Sequence, residues 1–255
     1  MPHVSREKSE SGFYHVVTKG DGGQIIFEDE RDRAHIEAHI KATLADCHVK
    51  LHAYCLMANH VHFLLQDEQG ELSAFMKAIN ENHAMYIAKK IGRVGHVFQG
   101  RFWSEPVVTD EHFLAALRYI HANPEPAGIC SAADYRWSSY SAYRDADDEK
   151  ALFVTTDFAL SMLGGRADFE AFQQPGGRFA RPFAGSRLMG HLSADELARV
   201  ALDLLGRETL YGMRSLKPAE RSPHLRKMAE AGFTASEIAR LTGLGQPSVY
   251  KLLKE

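Results

Sequence analysis

Apolar positions in the first part of the chain switch repeatedly between two spacings. FYHVVTKG (Phe13–Gly20) is rich in β-formers and runs into Gly20-Asp21-Gly22-Gly23, which predicts a first strand and a loop. DERDRAHIEAHIKATLADC sets Ile36, Ile40 and Leu44 four residues apart, the spacing of one helical face. VKLHAYCLM and HVHFLLQ are β-like runs separated by Ala58-Asn59, so they predict an antiparallel pair joined by a short turn. LSAFMKAINENHAMYIAKKIG carries Leu72, Phe75, Met76, Ile79, Met85 and Ile87 and closes on Gly92, which predicts a long helix. A further strand is expected over Phe102–Val108. DEHFLAALRYIHANP then predicts a helix capped by Asp110, with Phe113, Leu114, Leu117 and Ile120 on its apolar face. Pro124 disfavours helical dihedrals at Asn123 and stops it there.

The order β-α-β-β-α-β-α predicts an α+β domain over residues 12–145. The expected form is a ferredoxin-like split sheet, antiparallel, of about four strands with helices on one side. Polar ADDEK (146–150) marks the start of a linker and helical extension over 146–190, which includes the Gly- and Pro-rich loop QQPGGRFARPFAGS. Residues 191–255 read as helical. Within them, one helix ends near Gly232, and Thr234 caps a second with Glu237 as its capping-box partner. Gly243-Leu244-Gly245 forms a turn, and Gln246 to Leu253 forms a third helix. Ile238, Leu241, Leu244, Val249 and Leu252 are the expected shared core. The segment 221–254 resembles the helix-turn-helix of resolvases and bacterial regulators, and its last helix would present Gln246, Ser248, Tyr250 and Lys251 to DNA. The plainer reading is a three-helix packing unit with no ligand.

Composition narrows the function classes. An apolar fraction of 45% and a charged fraction of 25% are those of an ordinary soluble protein. No apolar run reaches the ~18 residues of a membrane span, and the N-terminus shows no apolar secretory core. Cys47, Cys55 and Cys130 fit neither a metal motif nor a disulfide framework, which points to a reducing cytosol. The net charge of −3 hides two basic stretches. Leu72–Trp103 holds Lys77, Lys89, Lys90, Arg93 and Arg101 against Glu81, and Met213–Lys254 carries eight basic residues against three acidic ones. Both suit contact with phosphate; both also suit solvated helix faces.

The candidate chemistry starts at MANHVHFLL. His60 and His62 flank Val61, but with 14 His in 255 residues chance alone supplies about one such pair. On a strand the two imidazoles share a face. Two neutral imidazoles can hold one divalent cation and leave its other positions open, as a catalytic site requires. Tyr119 and Asn123 lie one helical turn apart. A tyrosine near a metal can attack a phosphodiester, and an amide oxygen can complete the metal shell. Alternatively, Tyr119 packs and Asn123-Pro124 simply ends the helix.

YHVVTKGDGGQIIFEDERDR, HAYCLMANHVHFLLQ, GRVGHVFQGRFWSEPVV, YIHANPEPAGI and YRWSSYSAY occur in this order over residues 12–143. Together they resemble the single-tyrosine HUH transposases, especially the REP-associated tyrosine transposase branch of the IS200-like enzymes. The resemblance implies a metal (Mg2+ or Mn2+) on His60 and His62, a nucleophile at Tyr119 and assistance from Asn123. It also implies cleavage of single-stranded, hairpin or palindromic DNA, with a 5′-phosphotyrosine intermediate and a free 3′-OH, by a monomer or homodimer. Lys89, Lys90, Arg93 and Arg101 are candidate phosphate contacts. Phe102 and Trp103 are candidates for base stacking or core packing. Tyr86, in a basic helix, is the rival nucleophile. The competing functions are a DNA-binding regulator with an inactive nuclease domain and a phosphoesterase that uses water.

Overall fold

The computed structural model describes residues 7–92, 95–174, 198, 201–202, 204–230, 233 and 235–254. Arg93, Gly232, Thr234 and most of the QQPGGRFARPFAGS loop lie outside the described residues. The chain divides into two compact units, the first reaching Pro182 and the second starting at Phe183. No helix among the described residues is long and apolar enough to cross a membrane.

The first unit begins with β1 (Phe13–Lys19), α1 (Glu30–Ala45), β2 (Lys50–Met57), β3 (His60–Gln66), α2 (Leu72–Ile91), β4 (Trp103–Val107) and α3 (Asp110–Ala122). The strands form one antiparallel sheet in the order β2-β3-β1-β4. Ala58-Asn59 makes the tight β2–β3 connection that the sequence predicts. Helix boundaries follow local chemistry. At the start of α1, Asp29 and Asp32 form a reciprocal capping box, each carboxylate accepting the other's backbone N–H. α2 ends on Gly92 at φ 63, a left-handed position that glycine adopts without strain. α3 is capped by Thr109, whose hydroxyl accepts the His112 N–H at 3.1 Å. The expected cap, Asp110, instead occupies the first turn, where a carboxylate favours the helix dipole.

The register sorts the strand residues between two faces. Val17 pairs with His62 and Lys19 with His60, so His15, Val17, Lys19, His60 and His62 share one face. Tyr54 and Phe63 pair on the other, where the Tyr54 hydroxyl donates to Glu37 of α1 at 2.6 Å. α3 covers the histidine face: Phe113 meets Phe13 at 5.0 Å and His52 at 5.2 Å. Helices therefore cover both faces, not one side as the sequence reading had it. The strands demand this, since β1, β2 and β3 are buried along nearly their whole lengths.

Residues beyond α3 return to the sheet. The Leu56 N–H donates to the Trp137 carbonyl, the Ser139 N–H to the Tyr54 carbonyl, and the Tyr54 N–H to the Ser139 hydroxyl, at 2.9–3.0 Å. α4 (Tyr140–Arg144), α5 (Asp157–Leu163) and α6 (Arg166–Gln173) follow. Phe169 of α6 is fully buried, stacked on Tyr143 at 5.0 Å and edge-on to Tyr140 at 4.9 Å. Phe158 of α5 stacks on Phe13 at 5.0 Å. Residues 146–173 thus complete the core of the first unit, where the polar ADDEK stretch suggested a linker.

α6 also grips α3. The Arg118 guanidinium lies 4.4 Å over the Phe172 ring and donates to the Phe172 carbonyl. His121 accepts from the Gln173 amide at 2.9 Å through Nδ1 and donates to the Ser139 hydroxyl at 2.7 Å through Nε2.

The second unit contains α7 (Arg207–Gly212), α8 (Pro218–Glu230), α9 (Ala235–Thr242) and α10 (Gln246–Lys254). Leu210, Met213, Leu225, Met228, Phe233, Ile238, Val249 and Leu252 are buried together, with Leu241 and Leu244 partly buried against them. Gly243, at φ 68, turns the chain between α9 and α10.

Candidate active site

His60 and His62 project from β3 onto the face that α3 crosses. Their rings are 4.9 Å apart and nearly perpendicular, at 84°. Tyr119, on α3, sets its ring edge-on to His62 at 5.4 Å and to His15 at 5.9 Å. His15 belongs to the neighbouring strand β1, and its Nε2 lies 3.0 Å from Nδ1 of His62. Trp103, at the start of β4, meets His15 at 6.0 Å. His15 is the site residue that sequence reasoning missed. Its signal was faint: one histidine at an inward strand position in YHVV, with no local partner.

Two of these imidazoles, His15 and His62, are held neutral by burial. His62 is buried, and desolvation together with the nearby His60, His15 and Lys19 pushes its pKa well below the ordinary histidine range. Burial, reinforced by His112, brings His15 down to about 3. Nε2 of His62 is buried and finds no hydrogen-bond partner among the described residues. A buried polar atom without a partner is costly unless something else meets it. The Asn59 amide nitrogen donates to the Gly23 carbonyl at 3.3 Å, which turns its oxygen toward Nδ1 of His60 at 2.7 Å.

Asn123 ends α3 one turn beyond Tyr119. Its side-chain N–H groups reach the Tyr119 carbonyl at 2.8 Å and the Ile120 carbonyl at 3.4 Å. Its nitrogen is thus engaged in finishing the helix, and its amide oxygen is the atom left for other use. Among the described residues, no three His, Cys, Asp or Glu side chains gather as a metal-binding group. A cation on the histidine pair would therefore sit in an open shell, which suits exchange with substrate rather than a sealed structural site. Two neutral nitrogen donors fit such an ion.

The other candidates separate. Tyr86 lies on α2, which packs on α1; its hydroxyl donates to Asp32 at 3.0 Å and its ring stacks on His35 at 4.0 Å. It is not part of the histidine cluster. Lys90 donates to Asp29 at 3.0 Å and to Asp32 at 2.8 Å. Its hydrogen bonds to Asp32 raise its pKa above the ordinary lysine range. Its charge is thus matched by the acids at the start of α1. Lys89 and Arg101 are exposed, and Arg93 lies outside the described residues. Phe102 is buried and Trp103 half-buried. On α10, Gln246, Ser248, Tyr250 and Lys251 are exposed while Val249 and Leu252 enter the core.

Residues 8–123 match the family described as transposase IS200 like, a span that includes His60, His62, Tyr119 and Asn123. That match covers a little under half of the chain. Two solved structures are similar. A REP-associated tyrosine transposase bound to a REP hairpin is 15% identical, with a TM-score of 0.45, over 62% of this chain and 93% of that one. A structure from Deinococcus radiodurans R1 assigned as a transposase is 17% identical, with a TM-score of 0.34, over 47% of this chain and 95% of that one. No curated protein matches the chain.

Proposed function

We propose that the first unit cuts and rejoins single-stranded DNA at hairpin or palindromic sequences, with Tyr119 as the nucleophile. The observation that carries this reading is the placement of Tyr119 edge-on to His62, beside a buried, neutral imidazole whose Nε2 meets no protein group among the described residues. His60 and His62 would hold one Mg2+ or Mn2+ ion. When bound, such an ion polarises a non-bridging phosphate oxygen and stabilises charge building on phosphorus.

The chain's own residues do the rest. The Tyr119 hydroxyl oxygen forms a bond to phosphorus as the bond to the departing 3′ oxygen breaks. One proton moves, overall, from the tyrosine to that oxygen. The products are a 5′-phosphotyrosine and a free 3′-OH. A second 3′-OH can reverse the step and reseal the strand, because the phosphodiester energy is kept in the covalent link. Asn123, one turn further on, would help to hold the ion through its amide oxygen. Lys89 and Arg101 offer exposed charge to the DNA backbone, and the exposed face of α10 offers a second contact, to duplex DNA.

The test is incubation of the full chain with end-labelled hairpin DNA and Mg2+ or Mn2+, followed by a denaturing gel. A covalent protein–DNA band that disappears in Tyr119→Phe is the expected result. Cleavage without an adduct would make water the nucleophile. Absence of cleavage, with tight duplex binding that needs residues 213–255, would make the chain a DNA-binding regulator.

A further inference from the structure

We propose that His15 and Asn59 are positioning residues that set the proton on both site histidines. Each holds its ring as the Nδ1–H form, so that Nε2 of His60 and Nε2 of His62 both present lone pairs to one cation. This rests on the reading that the histidine pair binds a divalent metal.

For His60 the assignment follows from hydrogen-bond chemistry. A primary amide has one face that donates and one that accepts. Because the Asn59 nitrogen is directed to the Gly23 carbonyl, its oxygen faces His60 Nδ1. An oxygen with no hydrogen can only accept, so in the neutral ring the proton sits on Nδ1 and the lone pair on Nε2. Asn59 is part of the Ala58-Asn59 turn, which places it beside the first ligand of β3.

For His62 the partner is another imidazole, and either nitrogen of the 3.0 Å contact can donate. Each direction leaves one buried N–H elsewhere, on Nε2 of His62 or on Nδ1 of His15, so the choice is made by the metal. If His15 donated, the neutral His62 ring would carry its proton on Nε2, a buried donor with no partner among the described residues. If His62 donates through Nδ1, its Nε2 bears a lone pair instead, which is what a metal needs. Metal-bound histidines commonly give their second N–H to an acceptor that also fixes the ring plane. His15 supplies that acceptor from the adjacent strand, so the β1–β3 register is part of the metal site.

The test uses 15N-histidine-labelled full-length protein, metal-free at pH 8, with signals assigned from His60→Gln and His62→Gln variants. Both rings should show a protonated Nδ1 and a lone-pair Nε2; an Nε2–H ring at either position overturns the proposal for that residue. Mn2+ affinity, followed by electron paramagnetic resonance, should fall about 10–100-fold in His15→Leu and in Asn59→Ala. His15→Gln, whose amide oxygen can occupy the place of Nε2, should recover most of it. Wild-type Mn2+ affinity in a folded His15→Leu variant would also overturn the role of His15. If His60→Ala and His62→Ala leave Mn2+ affinity unchanged, the metal reading itself fails, while the nitrogen spectra still decide who holds the protons. Those spectra are recorded on the unsubstituted protein, so a failure of His15→Leu or Asn59→Ala to fold does not block the answer.

Discussion

Phe169→Ala removes a ring with no exposed surface from the junction of α4, α6 and α3. That ring stacks on Tyr143 at 5.0 Å, meets Tyr140 at 4.9 Å and approaches His121 of α3 at 5.8 Å. Truncating a buried Phe costs about 3–5 kcal/mol, combining the lost transfer energy with the cavity left behind. For a unit of about 150–250 residues, each kcal/mol lowers Tm by roughly 2–4 °C. The transition of the first unit should therefore fall by about 6–20 °C in calorimetry of the full chain. Leu152→Ala is the control, because it lies in the same segment but is 74% exposed; surface changes of this kind stay within about 0.5 kcal/mol. If Phe169→Ala melts like the unsubstituted chain, α6 is not part of the core, and the linker reading of residues 146–173 returns. The result bears on chemistry too, since α6 holds the helix that carries Tyr119.

Three further outcomes are expected. Tyr86→Phe should still form the covalent DNA adduct on a denaturing gel while melting at a lower temperature, because it loses only the bond to Asp32; loss of the adduct would move the nucleophile. Lys89→Met should weaken single-stranded DNA binding and flatten the log–log salt dependence by about 0.7, measured by fluorescence anisotropy. Lys90→Met should leave that slope unchanged but lower thermal stability, since its ammonium is committed to Asp29 and Asp32. The third outcome concerns acid. Burial holds both His52 and His83 at about 4, below their unfolded value near 6.5. Lowered histidine pKa values mean that the unfolded chain binds protons first as pH falls. Their contribution is complete above about pH 6.5 and erodes down to about pH 4, by roughly 2 kcal/mol apiece at pH 5. A urea midpoint unchanged between pH 7 and pH 5 would contradict this.

The strand and helix order was legible because each element carries its own period. Ile36 and Ile40 mark a helix by their spacing, and both are fully buried. The shared face of His60 and His62 follows from their separation by a single residue on a strand. The placement of His15 was not legible, because 47 residues separate it from His62 and only the antiparallel β1–β3 register brings them together. The cover on the second sheet face was hidden for a similar reason. Buried strands announce that they are covered, but not by which helix. Thr109 and Asp110 are both good capping residues, so a one-residue error in the start of α3 is what local chemistry allows. The polar ADDEK stretch suggested a chain leaving the domain, yet Lys150 within it buries its ammonium on the Ser138 carbonyl at 3.0 Å and near Glu37 at 3.8 Å. Composition reports the charge of such a side chain, not the partner waiting for it.

The hydrogen bonds from residues 137–139 to β2 also bear on how copies of this chain avoid one another. An uncovered outer strand is a template on which a second copy can add its own and begin an aggregate. At β2 that template is already taken by Trp137 and Ser139. At the opposite end, Pro106 deprives β4 of one donor. Peeling back residues 137–139, which belong to no regular helix or strand element, would expose the β2 edge, so resistance to strand-by-strand association rests on a few residues outside the regular elements.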